Sequence, residues 1–130
     1  MKKLLLLLLC VPLIGFGQTE YEKIYYENGQ LKLEVNYKDG KEEGLWKGYY
    51  DNSQLRMEGN YKDGKQEGLW KGYYDNGQLR SEGNYKDGKL DGLFKWYYKN
   101  GQLKFIEKIK KSRIIFEKCW DEEGNKIDCE

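Results

Sequence analysis

The segment YYDNGQL, residues 73–79, decides the fold, because close copies of it return along the chain at a constant spacing of 24 residues. The copies are YYENGQL at 25–31, YYDNSQL at 49–55 and YYKNGQL at 97–103. Between them lie two further repeated signals: NYKDGK at 36–41, 60–65 and 84–89, and GLW or GLF at 44–46, 68–70 and 92–94. A constant period of this length indicates a repeat architecture, in which each unit packs only on its neighbours.

Each unit contains two turn signals about 12 residues apart, and the segments between them have the composition of β-strands. Asn-Gly and Asp-Gly are the dipeptides that tight hairpin turns favour. The intervening residues are rich in Tyr, Trp and Leu and show no helical period, and the 16 glycines also disfavour helix. We therefore expect an all-β fold, an elongated antiparallel β-meander of about ten strands in a single-layer twisted sheet, with a worn last copy at residues 120–124.

The hairpin built on YYDNSQL sets the expected register. With residues 52–53 as a two-residue turn, Tyr50 pairs with Leu55, and Trp46 lies opposite Gly59. One face of the sheet then carries aromatic rings and glycines, and the other carries charged pairs. The pairs expected on the second face are Tyr49 with Arg56 and Lys47 with Glu58.

The KDGK turn has to preserve this sidedness, which any loop of even length does. A two-residue loop would set Lys62 against Lys65, and like charges directly opposite one another destabilise a sheet. A four-residue loop avoids that pair and places Met57 opposite Trp70. The four-residue loop is therefore the expected one.

Large aromatic residues recur beside glycines on the first face. A ring can lie over the bare backbone of a strand glycine and shield it. The stripe has two interpretations: shielding alone, or an exposed recognition surface for a protein, a glycan or a lipid headgroup. The candidate binding residues are Trp46, Tyr50, Trp70, Tyr74, Trp96 and Tyr98.

Trp96 breaks the repeat, because the equivalent positions in the two preceding units are Gly48 and Gly72. In the expected register Trp96 lies beside Leu79 and protrudes from the aromatic face. Trp70, in the middle of the array, is expected to pack over glycines of the neighbouring strand.

The first 17 residues have the pattern of a secretory signal peptide. A positive start, MKK, precedes an apolar segment too short for a permanent membrane span. Gly15 and Gly17 supply the small residues before a cleavage site at Gln18. Lipidation of Cys10 is disfavoured, because Leu9 stands where a lipoprotein has a small residue. We therefore expect a periplasmic or secreted protein without a transmembrane segment.

Removal of the signal peptide leaves two cysteines, Cys119 and Cys129, on either side of a turn-like stretch at 121–125. Two cysteines in an exported protein predict one disulfide, which stabilises the fold by roughly 2–3 kcal/mol in the chain-entropy model. The expected organisation is a signal peptide at 1–17, a repeat array at 18–112 and a capping hairpin with the disulfide at 113–130.

Composition excludes several classes of function. The chain has 23 Lys and Arg against 22 Asp and Glu, so it lacks the basic excess of a nucleic-acid-binding protein. It has no histidine, which removes the commonest base for activating serine and the commonest metal ligand. The acidic stretch 121–125 has its glycine out of place for an EF-hand calcium loop. We expect no catalytic residues, no cofactor and no metal.

The repeated blocks, over residues 21–104, resemble the MORN repeat variant of bacteria, found in proteins often labelled YwqK-type antitoxin family proteins. The resemblance implies an elongated all-β array without catalytic residues, of a kind linked elsewhere to membranes and protein scaffolding. With the export signal, it predicts a non-enzymatic exported module that binds or scaffolds protein or envelope partners. The alternative that the family label implies is an antitoxin or immunity-type inhibitor of a partner toxin.

Overall fold

The structure, a computed structural model, describes residues 17–130, which form one ten-stranded sheet. The strands follow chain order, and each pairs antiparallel with the next, so the predicted meander is confirmed. Their bounds are β1 (Thr19–Tyr25), β2 (Leu31–Lys38), β3 (Lys41–Tyr49), β4 (Leu55–Lys62), β5 (Lys65–Tyr73), β6 (Leu79–Lys86), β7 (Lys89–Tyr97), β8 (Leu103–Lys110), β9 (Arg113–Trp120) and β10 (Lys126–Ile127).

Within residues 17–130 there is no helix long and apolar enough to cross a membrane. Nearly all of the predicted signal peptide, together with Cys10, lies outside the described residues.

The turn between β3 and β4 is a three-residue loop, longer than the expected two-residue turn. The Ser53 N–H donates to the Tyr50 carbonyl (3.0 Å), and the Tyr50 N–H donates to the Gln54 carbonyl (2.8 Å). Only Ser53 is left-handed in this loop, with φ of 71°, whereas the two-residue turn that Asn-Gly favours needs positive φ at both central residues. Leu55 consequently pairs with Tyr49, and the expected Tyr50–Leu55 pair is wrong.

The KDGK turn is a two-residue loop, so the expected four-residue loop is also wrong. Lys62 lies directly opposite Lys65, and the two central residues, Asp63 and Gly64, have φ of 49° and 77°. Both lysines are exposed, so water and salt screen their repulsion. The Asp63 N–H donates to the Glu43 carboxylate of the preceding hairpin (2.8 Å), which ties the tip of this turn to its neighbour.

A local irregularity between β4 and β5 shifts their register by two positions. Three residues of β5, beginning at Gly68, face the single residue Gly59 of β4. Gly68 has φ of 75°, a left-handed conformation that permits this bend. A shift of two keeps alternate residues on their faces but brings Trp70 over Gly59. Met57 therefore pairs with Gly72, and the expected Met57–Trp70 pair is wrong. The same shift recurs in the β2–β3 and β6–β7 hairpins, at Gly44 and Gly92.

Little of the sheet is buried, because no second layer covers it among residues 17–130. Val35 and Trp70 are its buried apolar side chains, with 1% and 5% of their surface exposed. The ring of Trp70 lies on Gly59, itself buried, so that an added Cβ there would stand 2.2 Å from the ring. This is the predicted shielding of a glycine by an aromatic ring, and it replaces the packing that a second layer supplies in ordinary domains.

The predicted disulfide closes the C-terminal end of the sheet. Cys119 on β9 is bonded to Cys129, with Cα atoms 5.4 Å apart. Strand β10 pairs only with Cys119 and Trp120, so the rest of β9 forms an exposed edge. Pairing of β8 with β9 continues the sheet past residue 112, and the division into an array and a capping hairpin at that point stays a prediction.

Candidate binding surface

The face with Trp46, Trp70, Phe94 and Trp96, here the aromatic face, carries two ring clusters. In the first, Trp70 lies 5.5 Å from Trp46 and 5.2 Å from Tyr61 between ring centroids, the latter edge to face. The second cluster consists of Phe94, Trp96 and Phe105, at centroid distances of 6.0–6.2 Å. Aromatic pairs in such geometries stabilise beyond the area that they bury.

Trp70 is the buried central ring of the first cluster. Its indole N–H donates to the Asn60 carbonyl (3.1 Å), and its ring is nearly fully covered. Trp46, by contrast, is half-buried, and part of its ring is open to solvent. Of these two predicted binding residues, Trp46 has the larger surface to present to a partner.

Trp96 does not lie beside Leu79, as the sequence predicted, because the two-position shift at Gly92 moves it. It pairs instead with Ser81 on one side and with Phe105 on the other. Its ring is stacked on that of Phe105, with planes 10° apart, and stays half-buried. Trp96 therefore lies at the C-terminal end of the aromatic face with part of its ring open to solvent.

Tyr50, Tyr74 and Tyr98 connect successive repeats. Each hydroxyl donates to a backbone carbonyl 22 or 23 residues further along: Tyr50 to Tyr73 (2.7 Å), Tyr74 to Tyr97 (2.7 Å) and Tyr98 to Trp120 (2.9 Å). Tyr26 does the same to the Tyr49 carbonyl (2.6 Å), although the sequence did not single it out. These hydroxyls are occupied, so a partner would meet the rings and not the O–H groups.

The opposite face carries a network that the sequence predicted only in part. The Lys47–Glu58 pair is confirmed, and it belongs to a row in which Lys and Glu alternate from Lys23 to Lys95 across β1–β7. Tyr49, expected opposite Arg56, instead donates its hydroxyl to Glu34 (2.6 Å). The equivalent bonds are Tyr73 to Glu58 (2.7 Å) and Tyr97 to Glu82 (2.9 Å). We call this surface the tyrosine–glutamate face.

Those hydrogen bonds shift the pKa values of the tyrosines and of Glu34 on the tyrosine–glutamate face. Burial, and then the hydrogen bond to a carboxylate, raises the pKa of Tyr49, Tyr73 and Tyr97 to about 12. The hydroxyls of Tyr21 and Tyr49 lower the pKa of Glu34, to which both donate. These hydrogen bonds could have been predicted from the sequence, because each tyrosine follows its glutamate by a constant 15 residues.

Among the described residues, no group of three or more His, Cys, Asp or Glu side chains could hold a metal ion. The surface depressions are shallow. One of them, of about 500 Å³, lies beside the disulfide and is lined by Tyr98, Phe105 and Trp120 among others. The arrangement offers rings and hydrogen-bonding edges over a broad surface, which suits binding.

Comparison with known families identifies the repeats. The family model described as MORN repeat variant matches four consecutive segments, residues 21–39, 42–63, 66–87 and 90–111. The chain belongs to the MORN repeat variant family. Each MORN repeat spans two strands, β1–β2, β3–β4, β5–β6 and β7–β8, and the boundaries between repeats fall at the KDGK turns.

Other comparisons add little to the MORN assignment. No curated protein matches the chain. Among solved structures, the crystal structure of accessory secretory protein 1, 2 and 3 in Streptococcus pneumoniae is similar, with 17% sequence identity and a TM-score of 0.41. The match covers 70% of this chain and 17% of that one.

Proposed function

We propose that this MORN repeat protein is a non-enzymatic, exported binding module whose aromatic face recognises a protein partner. The observation that carries the proposal is the pair of half-buried tryptophans, Trp46 and Trp96, on a face that no second layer formed by residues 17–130 covers. Tryptophan, tyrosine and arginine dominate the energetics of protein interfaces. Tyr50, Tyr74 and Tyr98 hold the repeats that carry these rings together, so the surface is preorganised.

Export is supported by the signal-peptide pattern and by the Cys119–Cys129 disulfide, a bond that persists in oxidising compartments. The antitoxin role that the YwqK-type label implies stays a prediction of the sequence. It would use the same surface, with a toxin as the partner.

The test is capture of partners from an envelope extract with the purified chain as bait. Trp96→Gly restores the glycine of the earlier repeats and should lose the partner while keeping the circular dichroism spectrum of a folded sheet. The matched control is Leu93→Asn, because Leu93 is 48% exposed and strand alternation places it on the opposite face. Protease treatment of the extract should abolish capture, whereas a glycan or lipid partner would survive it. Equal capture by the wild-type chain and Trp96→Gly would contradict the proposal.

A further inference from the structure

The repeat pattern of the aromatic face changes in the fourth unit, where Phe94, Glu107 and Ile109 replace a tryptophan, a glycine and a tyrosine of the preceding units. One further change there introduces a tryptophan. Where the two preceding units have Gly48 and Gly72, the fourth has Trp96. On the partner strands, the equivalent positions are Met57, then Ser81, then Phe105. Among residues 17–130, a tryptophan paired with a serine on one strand and a phenylalanine on the other therefore occurs at Trp96 alone.

Arg80 lies beside this tryptophan. Its guanidinium carbon lies 5.4 Å from the centroid of the Trp96 ring, a cation–π geometry. The same side chain lies over the bare backbone of Gly72, where an added Cβ would stand 3.2 Å from an Arg80 Nη atom. The guanidinium is thus held between a tryptophan ring and a glycine, and no carboxylate takes part in holding it.

Within residues 17–130, the side chain of Arg80 donates no hydrogen bond and joins no ion pair. The ion pairs there are Lys23–Glu34, Lys95–Glu82 and Lys99–Asp75. The Arg80 Nε is buried and has no hydrogen-bond acceptor. Among the described residues, no other buried side-chain nitrogen or oxygen lacks a hydrogen-bond partner. A buried donor without an acceptor costs free energy. The two Nη groups are not among the buried atoms, so a partner would bind the guanidinium through them.

A second donor lies beside it. The Ser81 hydroxyl stands 2.7 Å from the position that a Cβ on Gly72 would take, so it projects over the same bare backbone as Arg80. A guanidinium matches a carboxylate through two parallel N–H···O bonds, and a hydroxyl can donate a third. We propose that Arg80, with Ser81 and Trp96, binds a carboxylate of a protein partner, an Asp or Glu side chain. This inference rests on the proposed function of the aromatic face.

A protein is the occupant that the surface favours. The aromatic face is open and broad, whereas a small acid would need an enclosing pocket. Arg80 beside the Trp96 ring combines two of the residue types that anchor protein interfaces, and an acidic motif is a common partner for arginine.

The experiment measures binding of fluorescein-labelled poly-L-glutamate to the purified chain by fluorescence anisotropy, with polygalacturonate as a competitor. Arg80→Gln should weaken binding about tenfold or more, and Arg80→Lys should restore only part of the affinity, because lysine keeps the charge but loses the two-pronged geometry. The matched control is Arg56→Gln. Arg56 holds the same place one repeat earlier, and it changes the net charge equally, but its neighbouring position is Gly72 in place of a tryptophan.

Three results of the poly-L-glutamate experiment would overturn the carboxylate site. They are equal loss in Arg80→Gln and Arg56→Gln, no binding of poly-L-glutamate by the wild-type chain, and stronger binding of polygalacturonate, which would assign the carboxylate to a glycan. If Trp96→Gly abolishes partner capture while Arg80→Gln leaves it intact, the binding role of the aromatic face stands and the carboxylate site falls. A melting temperature for Arg80→Gln equal to that of Arg56→Gln excludes unfolding as the cause of lost binding.

Discussion

The indole ring of Trp70 lies on the backbone of Gly59, so close that a Cβ on Gly59 would stand 2.2 Å from the ring. No real Cβ atom tolerates that distance, so the ring and the bare backbone occupy a space that fits only glycine. The contact joins β4 to β5 and depends on the two-position shift at Gly68.

Gly59→Ala should therefore destabilise the protein, by roughly 1–3 kcal/mol, because the methyl group forces the ring out of its place. Gly48→Ala is the comparison variant, since the closest atoms to its Cβ would be at the far edge of the Trp46 ring, at 2.9 Å, and that half-buried ring can yield. Urea denaturation of both variants measures the difference. A smaller loss for Gly59→Ala than for Gly48→Ala would contradict the packing.

Trp70→Ala should cost roughly 3 kcal/mol, because it removes a buried ring and leaves Gly59 uncovered. Trp96→Gly should cost much less, since the Trp96 ring is only half-buried and glycine is the residue of the earlier repeats. Free energies of unfolding from denaturant titration decide between them. Equal losses would make Trp96 part of the core and remove it from the candidate contacts.

Ser53→Gly should stabilise the protein by roughly 0.4–1 kcal/mol, because Ser53 is held at φ of 71°, a conformation that glycine adopts without strain. The Ser53 hydroxyl donates to the Gln30 side chain at an exposed site, so its loss should offset only part of the gain. The reverse change, Gly77→Ser in the next repeat, should destabilise, since Gly77 has φ of 85°. Thermal melting of both variants checks the two signs.

Alkaline pH should unfold the protein through the tyrosine–glutamate face. The pKa of Tyr49, Tyr73 and Tyr97 is raised from 10.0 to about 12, so the folded state favours the protonated hydroxyl. Their contribution is complete below pH 10 and is lost as the pH rises towards 12. Tyr73→Phe should flatten the fall in stability over that window, whereas Tyr25→Phe, at an exposed ring, should not. Denaturation midpoints measured from pH 9 to 12 give the slope; parallel curves for the two variants would refute the assignment.

The disulfide should be formed in the exported protein, with Cys119 and Cys129 joined in a peptide map by mass spectrometry. Replacing both cysteines by serine should cost roughly 2–3 kcal/mol and increase amide hydrogen exchange in β10, which two paired residues hold to β9. Exchange in β3 and β4, far along the array, is the internal control. Free thiols in the exported chain would contradict the oxidised state.

The sequence predicted the sheet, its strand order and its two faces, because a 24-residue period with two turn signals leaves few other solutions. It did not predict the loop lengths. Asn-Gly and Asp-Gly occur in turns of several lengths. The length that forms depends on backbone dihedral angles that the amino-acid sequence does not specify. Here Asp63 and Gly64 are both left-handed, whereas Ser53 alone is so in its loop.

The errors at the candidate site follow from one backbone feature. The left-handed Gly92 moves Trp96 by two positions, from Leu79 to Ser81, and so brings it to Arg80. The sequence is compatible with the register that has the two-position shift at Gly92 and with the register that lacks it. A shift of two positions leaves every side chain on the same face of the sheet, so the hydrophobic pattern does not distinguish the two registers. The face was therefore predictable from the sequence, and so was the pairing of Trp46 with Gly59, but the neighbours of Trp96 across the β6–β7 hairpin were not.

The strand order has a mechanical consequence. Every strand of the sheet is bonded only to its neighbours in sequence, and β1 and β10 lie at its two opposite edges. A pull on the two ends of the chain therefore acts across the strands and loads one row of hydrogen bonds at a time. Under tension the sheet should open from an edge, strand by strand, and extend at low force. The tyrosine hydroxyls that bond successive repeats should add to the force needed to detach each repeat.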